Sequence, residues 1–293
     1  MYHFDSAAHI GNWVEITDDY YRTYNSYGNI MPMHTNSAFG RMENAGWCEG
    51  GIIVPYWYWQ YTGDSTLIEK NWDQMCAFVD KQADTGVGMT LGDWNGISGE
   101  GANGAYVRRV FNIYVNRLMA KMARGLGKDA DAARYEAAVT RKVALAATQT
   151  GSNCMGTAQT AYSWALRLGI NPAGYTRETI GADLAASVEN KDNAVSRNRG
   201  EYTVGVGFLG VNLVMPELSE SGYSDTAYGL MLSRNMYSPA YSVACGSNTM
   251  WERWDMWNPT RGYMVDNTSY NHYSYGAASE WLYEYMLGIQ KDE

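Results

Sequence analysis

No run of this sequence is apolar for the roughly 18 residues that a membrane-spanning helix needs. The longest candidate, "GGIIVPYWYWQY", is interrupted by Pro55 and crowded with tyrosine and tryptophan. Basic residues are also scarce. Twenty-two Lys and Arg stand against 31 Asp and Glu, a formal charge of -9, so no basic stripe exists to hold a phosphate backbone or an anionic membrane surface. Neither nucleic acid nor a membrane is expected as a partner. Cysteine is sparse and dispersed: Cys48, Cys76, Cys154 and Cys245 contain no C-x-x-C pair, which reads as four reduced thiols rather than a disulfide framework or zinc site. Unpaired thiols favour a reducing, cytoplasmic setting. The start, "MYHFDSAAHIGNW", has no basic segment followed by an apolar stretch, so no secretory signal is read there.

Catalytic shorthand is missing as well. His3, His9, His34 and His272 are too scattered for a metal site, and no Ser-His-Asp order is recognisable. "GVGFLG" has closely spaced glycines, but no strand precedes it and no acidic ribose ligand follows in a βαβ unit, so it is not read as a nucleotide loop. Neither metal nor cofactor is expected.

What the chain does have is aromatic surface: 11 Trp and 24 Tyr against 5 Phe. Tyr and Trp combine an apolar face with a polar edge, which suits ligands that are both stacked upon and hydrogen-bonded, and sugars are such ligands. The same composition also suits a large helical core. With 46 % apolar residues over 293 positions, the chain is long enough for one domain with a sizeable interior.

Helical periodicity dominates. In "GAYVRRVFNIYVNRLMAKMARGLG", Val107, Val110, Phe111, Tyr114, Leu118, Met119 and Met122 recur at three- and four-residue spacing, with Arg108, Asn112, Asn116 and Lys121 on the other face. Gly125 and Gly127 stop it, and Asp129 caps a second helix in which Tyr135, Val139 and Val143 form the apolar side. A connection this short predicts an antiparallel hairpin. The grammar repeats in "SAAHIGNWVEITDDYYRTY", "GGIIVPYWYWQYTGD", "TLIEKNWDQMCAFVDKQ", "TAQTAYSWALRLGI", "AGYTRETIGADLAASVENKD", "TVGVGFLGVNLVMPELSESG", "YSDTAYGLMLSRN" and "NHYSYGAASEWLYEYMLGI", roughly ten helices with no strand alternation. Residues 1–293 therefore read as one all-α domain of successive hairpins.

Long Gly-rich, aromatic and acidic loops separate the hairpins: "GRMENAGWCEGG", "GMTLGDWNGISGEGANG" and the stretch from Ala244 to Gly276. Loops of that length in a compact domain are usually functional. The last contains "SNTMWERWDMWNP", with Trp251, Trp254 and Trp257 around Glu252, Arg253 and Asp255.

"TMWERWDMWNP" followed by "NHYSYGAASEWLYEYMLGI" resembles the C-terminal signature of the α-L-rhamnosidases of glycoside hydrolase family 78. "NAGWCEGGIIVPYWYWQYTGD", "GDWNG", "TQTAYSWALRLGI" and "GFLGVNLVMPELSESGYSDTAYGLMLSR" stand in the family's order, so the resemblance covers nearly the whole chain. It implies an (α/α)6 barrel with its active site at a mouth built by the hairpin loops, and inverting hydrolysis of terminal α-L-rhamnosides. Such hydrolysis needs one protonated carboxyl to release the leaving oxygen and one ionised carboxylate to activate water.

By the same resemblance Glu252 is the general base, and Trp251 and Trp254 wall a pocket for a deoxysugar. Indole surfaces strip hydration from a nearby carboxylate, which strengthens it as a proton acceptor. A plain ion pair of Glu252 with Arg253 is the competing reading. Trp47 in "GWCEGG" matches a tryptophan at the sugar site, Asp93 and Trp94 in "GDW" match a pair lining the rhamnose pocket, and His272 matches a histidine that hydrogen-bonds the sugar. Glu49 stands where the family usually has aspartate, one methylene shorter. As bland alternatives, Trp47 is core, Asp93 caps a turn and His272 is a satisfied structural histidine. Trp281 and Tyr285 share a core stripe, and Glu100 is either a solvated loop carboxylate or near the site.

The resemblance also implies a D-x-P-x-R-D-E block followed by G-W-T-G-D that supplies the general acid, and these 293 residues contain no copy of it. The expectation is a barrel lacking its first helices and the family's upstream β-sandwich domains, with self-association covering the exposed edge. If an acid exists within the chain, Glu49, Asp93 and Glu100 are the candidates. Two function classes stay open: a rhamnosidase acting on a rhamnose-containing glycoside or oligosaccharide, and a catalytically silent relative that binds a sugar or serves as a helical domain. An inverting glycosidase for another deoxysugar would share the fold.

Overall fold

A computed structural model of the chain describes residues 6–23, 44–86, 88, 90–266 and 268–290. His3, His34 and the first residues of "GRMENAGWCEGG" lie outside the described residues. The described residues form ten α-helices and divide into two compact units.

The first unit, Met1–Leu91 with Gly104–Ala146, contains α1 (Ala7–Thr23), α2 (Gly50–Thr62), α3 (Thr66–Lys81), α4 (Gly104–Gly125) and α5 (Asp129–Ala147). Helix α2 ends at Gly63 in the left-handed conformation, and α3 buries Leu67, Ile68, Trp72, Met75, Phe78 and Val79 along its apolar stripe. Helices α4 and α5 run antiparallel. Arg124 near the turn pairs with Glu136, and Lys142 farther from it reaches Asn112 Oδ1 at 3.0 Å. A Cβ on Gly125 would collide with the Trp59 ring, so glycine there serves close helix packing as well as termination.

Helix α4 departs from the sequence expectation on its polar face. Asn112 and Asn116 are buried, and their needs are met internally: Asn116 Nδ2 donates to the Asn112 carbonyl, Asn112 Nδ2 to the Ala83 carbonyl, and Lys142 to Asn112 Oδ1. Amphipathic reading assigns asparagine to solvent, but a hydrogen-bonded chain of amides can be buried at little net cost. Burial holds the Lys142 ammonium below its ordinary pKa.

The second unit, Gly92–Asn103 with Ala147–Glu293, contains α6 (Gln159–Leu168), α7 (Arg177–Glu189), α8 (Val211–Glu220), α9 (Ser224–Leu232) and α10 (Pro239–Ala244). Helix α8 packs against α6, α7 and α9, and its buried Glu217 is paired with Arg167 of α6 at 2.6 Å. Thr176 and Thr179 form a reciprocal capping box at the start of α7. At its end Asn190 enters the left-handed region, and its buried side chain bonds the backbone of Val195, Ser196 and Arg199, folding the 190–200 loop around one amide.

Four elements differ from expectation. "TVGVGFLG" is not helical; α8 begins at Val211, because Gly205 and Gly207 give their amides to Gln159 Oε1 and Asp93 Oδ2 instead of an i−4 carbonyl. Trp257–Asn258 and Gly262–Tyr263 form a two-stranded antiparallel hairpin that no alternation in the sequence announces, closed by Asn258 Oδ1 accepting from the Thr260 and Arg261 amides. The final segment is a 3-10 turn, Ser274–Ser279, followed by a π turn, Leu282–Met286, rather than one regular helix. Helix α10, six residues opened by Pro239, is too short to show periodicity.

Candidate active site

The site is built by three loops of the second unit: residues 93–97, 203–209 and 250–275. Asp93 anchors the first two. Its Oδ2 accepts from the Thr160 hydroxyl and from the Gly207 amide at 2.8 Å, and its Oδ1 accepts from the Leu209 amide at 2.9 Å. Burial pushes the Asp93 carboxyl above its ordinary pKa, while Thr160, Gly207 and Leu209 oppose that shift by donating to it. A Cβ on Gly207 would strike the carbonyls of Trp94 and Asp93, so only glycine lets these loops approach. Asp93→Asn places an amide against one of the two backbone donors. It is expected to lower stability by about 1–3 kcal/mol, measured by urea unfolding.

The third loop is held by aromatic packing. The Trp254 ring stacks on Tyr275 at 3.9 Å, and its Nε1 donates to the Val206 carbonyl at 2.8 Å. Trp251 meets Tyr241 and Tyr270 edge to face and belongs to a small core with Met256. Trp251 and Trp254 are 3 % and 6 % exposed, so their rings brace the loop, whereas Trp94 is 45 % exposed. Tyr275 Oη donates to the Asn95 carbonyl at 2.6 Å, tying the third loop back to the first, and burial raises its phenol pKa.

Glu252 sits at the junction. Its amide donates to the Ser269 carbonyl at 3.0 Å, and its Oε2 accepts from the Ser269 amide at 2.7 Å. Asn95, at φ 61°, directs Nδ2 to the Glu252 carbonyl at 3.3 Å and to Oε1 at 3.5 Å. The competing ion pair does not form: Arg253 Nε bonds Asp255 Oδ1 at 3.2 Å. Glu252 is thus a half-buried carboxylate oriented by neutral donors.

His272 follows on the same loop, between Phe208 at 5.0 Å and Tyr273 at 5.5 Å, both rings stacked. Its Nδ1 accepts from the Ser274 amide at 3.3 Å, so in the neutral imidazole Nε2 carries the proton and is a donor. Asp93, Trp94, Trp251, Glu252, Trp254 and His272 are therefore gathered in one unit. Trp47 and Glu49 belong to the other, in a turn at the start of α2 where the Gly46 amide donates to the fully buried Glu49 carboxylate at 2.8 Å.

Asn95, Ser269, Thr160 and Tyr275 are site residues that sequence reasoning does not reach. Only Asn95 has a local signal, the Asn-Gly pair that favours a left-handed turn. The others act through contacts far along the chain.

The family model for the bacterial alpha-L-rhamnosidase 6 hairpin glycosidase domain matches residues 1–286. The chain belongs to this family. As a member of the rhamnosidase six-hairpin family it is similar to an alpha-L-rhamnosidase of Streptomyces avermitilis, 30 % identical over 98 % of this chain, and to one of Formosa agariphila, 30 % identical over 84 %. It spans 27 % of the length of each of those relatives. Among solved structures, the Streptomyces avermitilis α-L-rhamnosidase complexed with L-rhamnose matches 99 % of the chain and 27 % of its own at 28 % identity, with a TM-score of 0.85. An Aspergillus terreus α-L-rhamnosidase shares the fold with a TM-score of 0.80 at 21 % identity, covering 96 % of this chain and 34 % of that one. The family fold is the all-α (α/α)6 barrel that the sequence blocks imply.

Proposed function

We propose that the chain serves the inverting hydrolysis of terminal α-L-rhamnosides, with Glu252 as the general base. The observation that carries this reading is the Glu252 carboxylate itself, held by Ser269 and Asn95 and not neutralised by Arg253. A carboxylate oriented by neutral donors is placed to take a proton from water as the water attacks the anomeric carbon. The base and acid of an inverting pair stand roughly 6.5 to 9.5 Å apart, with water between base and sugar. A ligand of the Streptomyces avermitilis neighbour, L-rhamnose, fits the sugar class proposed here. Trp94, by its exposed indole, and His272, by Nε2, are the proposed sugar contacts in this unit, with Trp47 and Glu49 proposed from the resemblance.

No acid is assigned within the chain. Asp93 has both oxygens engaged by internal donors, and Glu100 is held by Arg199 Nε at 2.5 Å and the Ser196 hydroxyl at 2.5 Å. Glu49 is fully buried on the Gly46 amide. Activated aryl α-L-rhamnosides are therefore the proposed substrates of choice, because a good leaving group needs less protonation. The test is phenol release from activated aryl α-L-rhamnosides, α-D-mannosides and α-L-fucosides. Turnover of the rhamnoside alone supports the reading; no turnover by folded protein rejects it.

Asn95 is proposed to position the base. Asn95→Asp puts a second carboxylate beside Glu252, and like charges favour protonation. The acid limb of the kcat/KM profile should move to higher pH, while Asn95→Gly, keeping the left-handed turn, should lower kcat/KM without that displacement.

Self-association is also proposed. Leu232, Val243 and Leu287 are exposed apolar side chains, and sedimentation velocity at rising concentration tests it.

A further inference from the structure

The first unit holds a buried cation with no counterion. Arg109, in the second turn of α4, is 8 % exposed, and its Nε is enclosed without a hydrogen-bond partner. Among the described residues no carboxylate pairs with its guanidinium. The other two buried cations there, Lys142 and Arg199, each have one: Asp84 at 3.5 Å and Glu100 at 2.5 Å. Asp84 is also the carboxylate whose charge bears on Arg109, but it is already shared by Arg141 and Lys142. Three cations therefore draw on one anion. Burial, with the Arg108 charge beside it, holds the Arg109 pKa below its ordinary value, and Asp84 opposes that shift.

The turn that follows α3 runs along this part of α4. The Ala83 carbonyl accepts from Asn112 Nδ2 at 2.6 Å, and a Cβ on Gly86 would meet the Arg108 carbonyl at 2.3 Å. Residues 83–86 thus lie beside the stretch 108–112 that contains Arg109. Gln82, immediately before Ala83, adds a second unanswered group: its Nε2 and Oε1 are both enclosed with no hydrogen-bond partner. The way in is beside Gly88, whose carbonyl accepts from Arg108 Nη1 at 2.7 Å and where a Cβ would meet nothing within 4 Å.

These groups ask for a particular ligand. A guanidinium fork matches an oxyanion, and a buried charge is stable only when it is paired. The amide needs an acceptor for Nε2 and a donor for Oε1. Inorganic phosphate offers both near pH 7, where it carries negative oxygens and at least one P–OH. Sulfate has the charge without the donor.

We propose that Arg109 and Gln82 hold a phosphate ion at the junction of α3 and α4. The ion supplies the missing countercharge and satisfies both ends of the Gln82 amide. Because it binds the folded chain and not the unfolded one, it makes the stability of the first unit respond to phosphate.

The test is isothermal titration calorimetry of sodium phosphate into the unmodified chain in phosphate-free buffer at fixed chloride, repeated with sodium sulfate. One saturable site per chain is expected for phosphate, with sulfate about tenfold weaker for want of one hydrogen bond. Saturating phosphate should raise the melting temperature by about 3 °C or more. Arg109→Met should abolish both effects. It removes an unpaired buried charge, so in phosphate-free buffer it should melt no lower than the parent. Lys121→Met, which takes the same charge from an exposed position on the same helix, should keep both effects, and Gln82→Met should bring the two affinities together. No saturable phosphate binding by the unmodified chain, equal binding of sulfate, or undiminished binding by Arg109→Met overturns the proposal. None of these readings depends on glycoside hydrolysis.

Discussion

Glu252→Gln should lower kcat/KM for an activated aryl α-L-rhamnoside by about 10² to 10⁴, the usual worth of a positioned proton acceptor. The substitution keeps size and one carbonyl oxygen. The Ser269 amide can still donate to that oxygen, so the loop should keep its conformation and the protein its unfolding midpoint. The loss is expected mainly in kcat, because the proton moves only in the transition state. Asp255 provides the control. It lies three residues on but pairs with Arg253 and Arg261, so Asp255→Asn should cost far less activity. Equal losses for the two variants would show that the loop, rather than the Glu252 carboxylate, carries the effect.

Arg199→Met should destabilise the fold by about 3–5 kcal/mol, because it strands a partly buried carboxylate and removes a buried cation's bonds. Glu100 would lose its charge partner, and the Thr203 and Ser187 carbonyls would lose donors. A large fall in the urea midpoint, followed by tryptophan fluorescence, checks this. Replacing both partners, Glu100→Leu with Arg199→Met, should recover part of the loss, since an apolar pair of similar volume avoids the unpaired charge. A single variant as stable as the parent would contradict the assignment of Arg199 as the brace of the 190–205 loop.

The helices were legible because burial imposes a period on the chain. Val107, Val110, Phe111, Leu118, Met119 and Met122 announce α4 from spacing alone, and all are buried. Asn112 and Asn116 misled because a buried amide ladder has the same letters as a solvated face. The "TVGVGFLG" stretch misled in the opposite way. Its apolar residues run on into those of α8, but its glycine amides are claimed by Gln159 and Asp93, 46 and 114 residues away. No window of sequence contains such partners.

The site was legible in part for the same reason. Glu252 and its tryptophans are contiguous, so their motif was visible. The donors that orient the carboxylate are Ser269, 17 residues on, and Asn95, 157 residues back. Which faces of Trp251 and Trp254 are covered depends on Tyr241, Tyr270 and Tyr275, which the motif does not contain. Of Trp94, Trp251 and Trp254, the exposed indole is that of Trp94, contributed by a different loop.

The most direct measurement of the central claim is the anomer of the first sugar released. Proton NMR of an activated aryl α-L-rhamnoside mixed with the chain should show β-L-rhamnose ahead of mutarotation, with the signal lost in Glu252→Gln. First release of α-L-rhamnose, or β-L-rhamnose formed equally fast by Glu252→Gln, would contradict Glu252 as the base of an inverting hydrolysis.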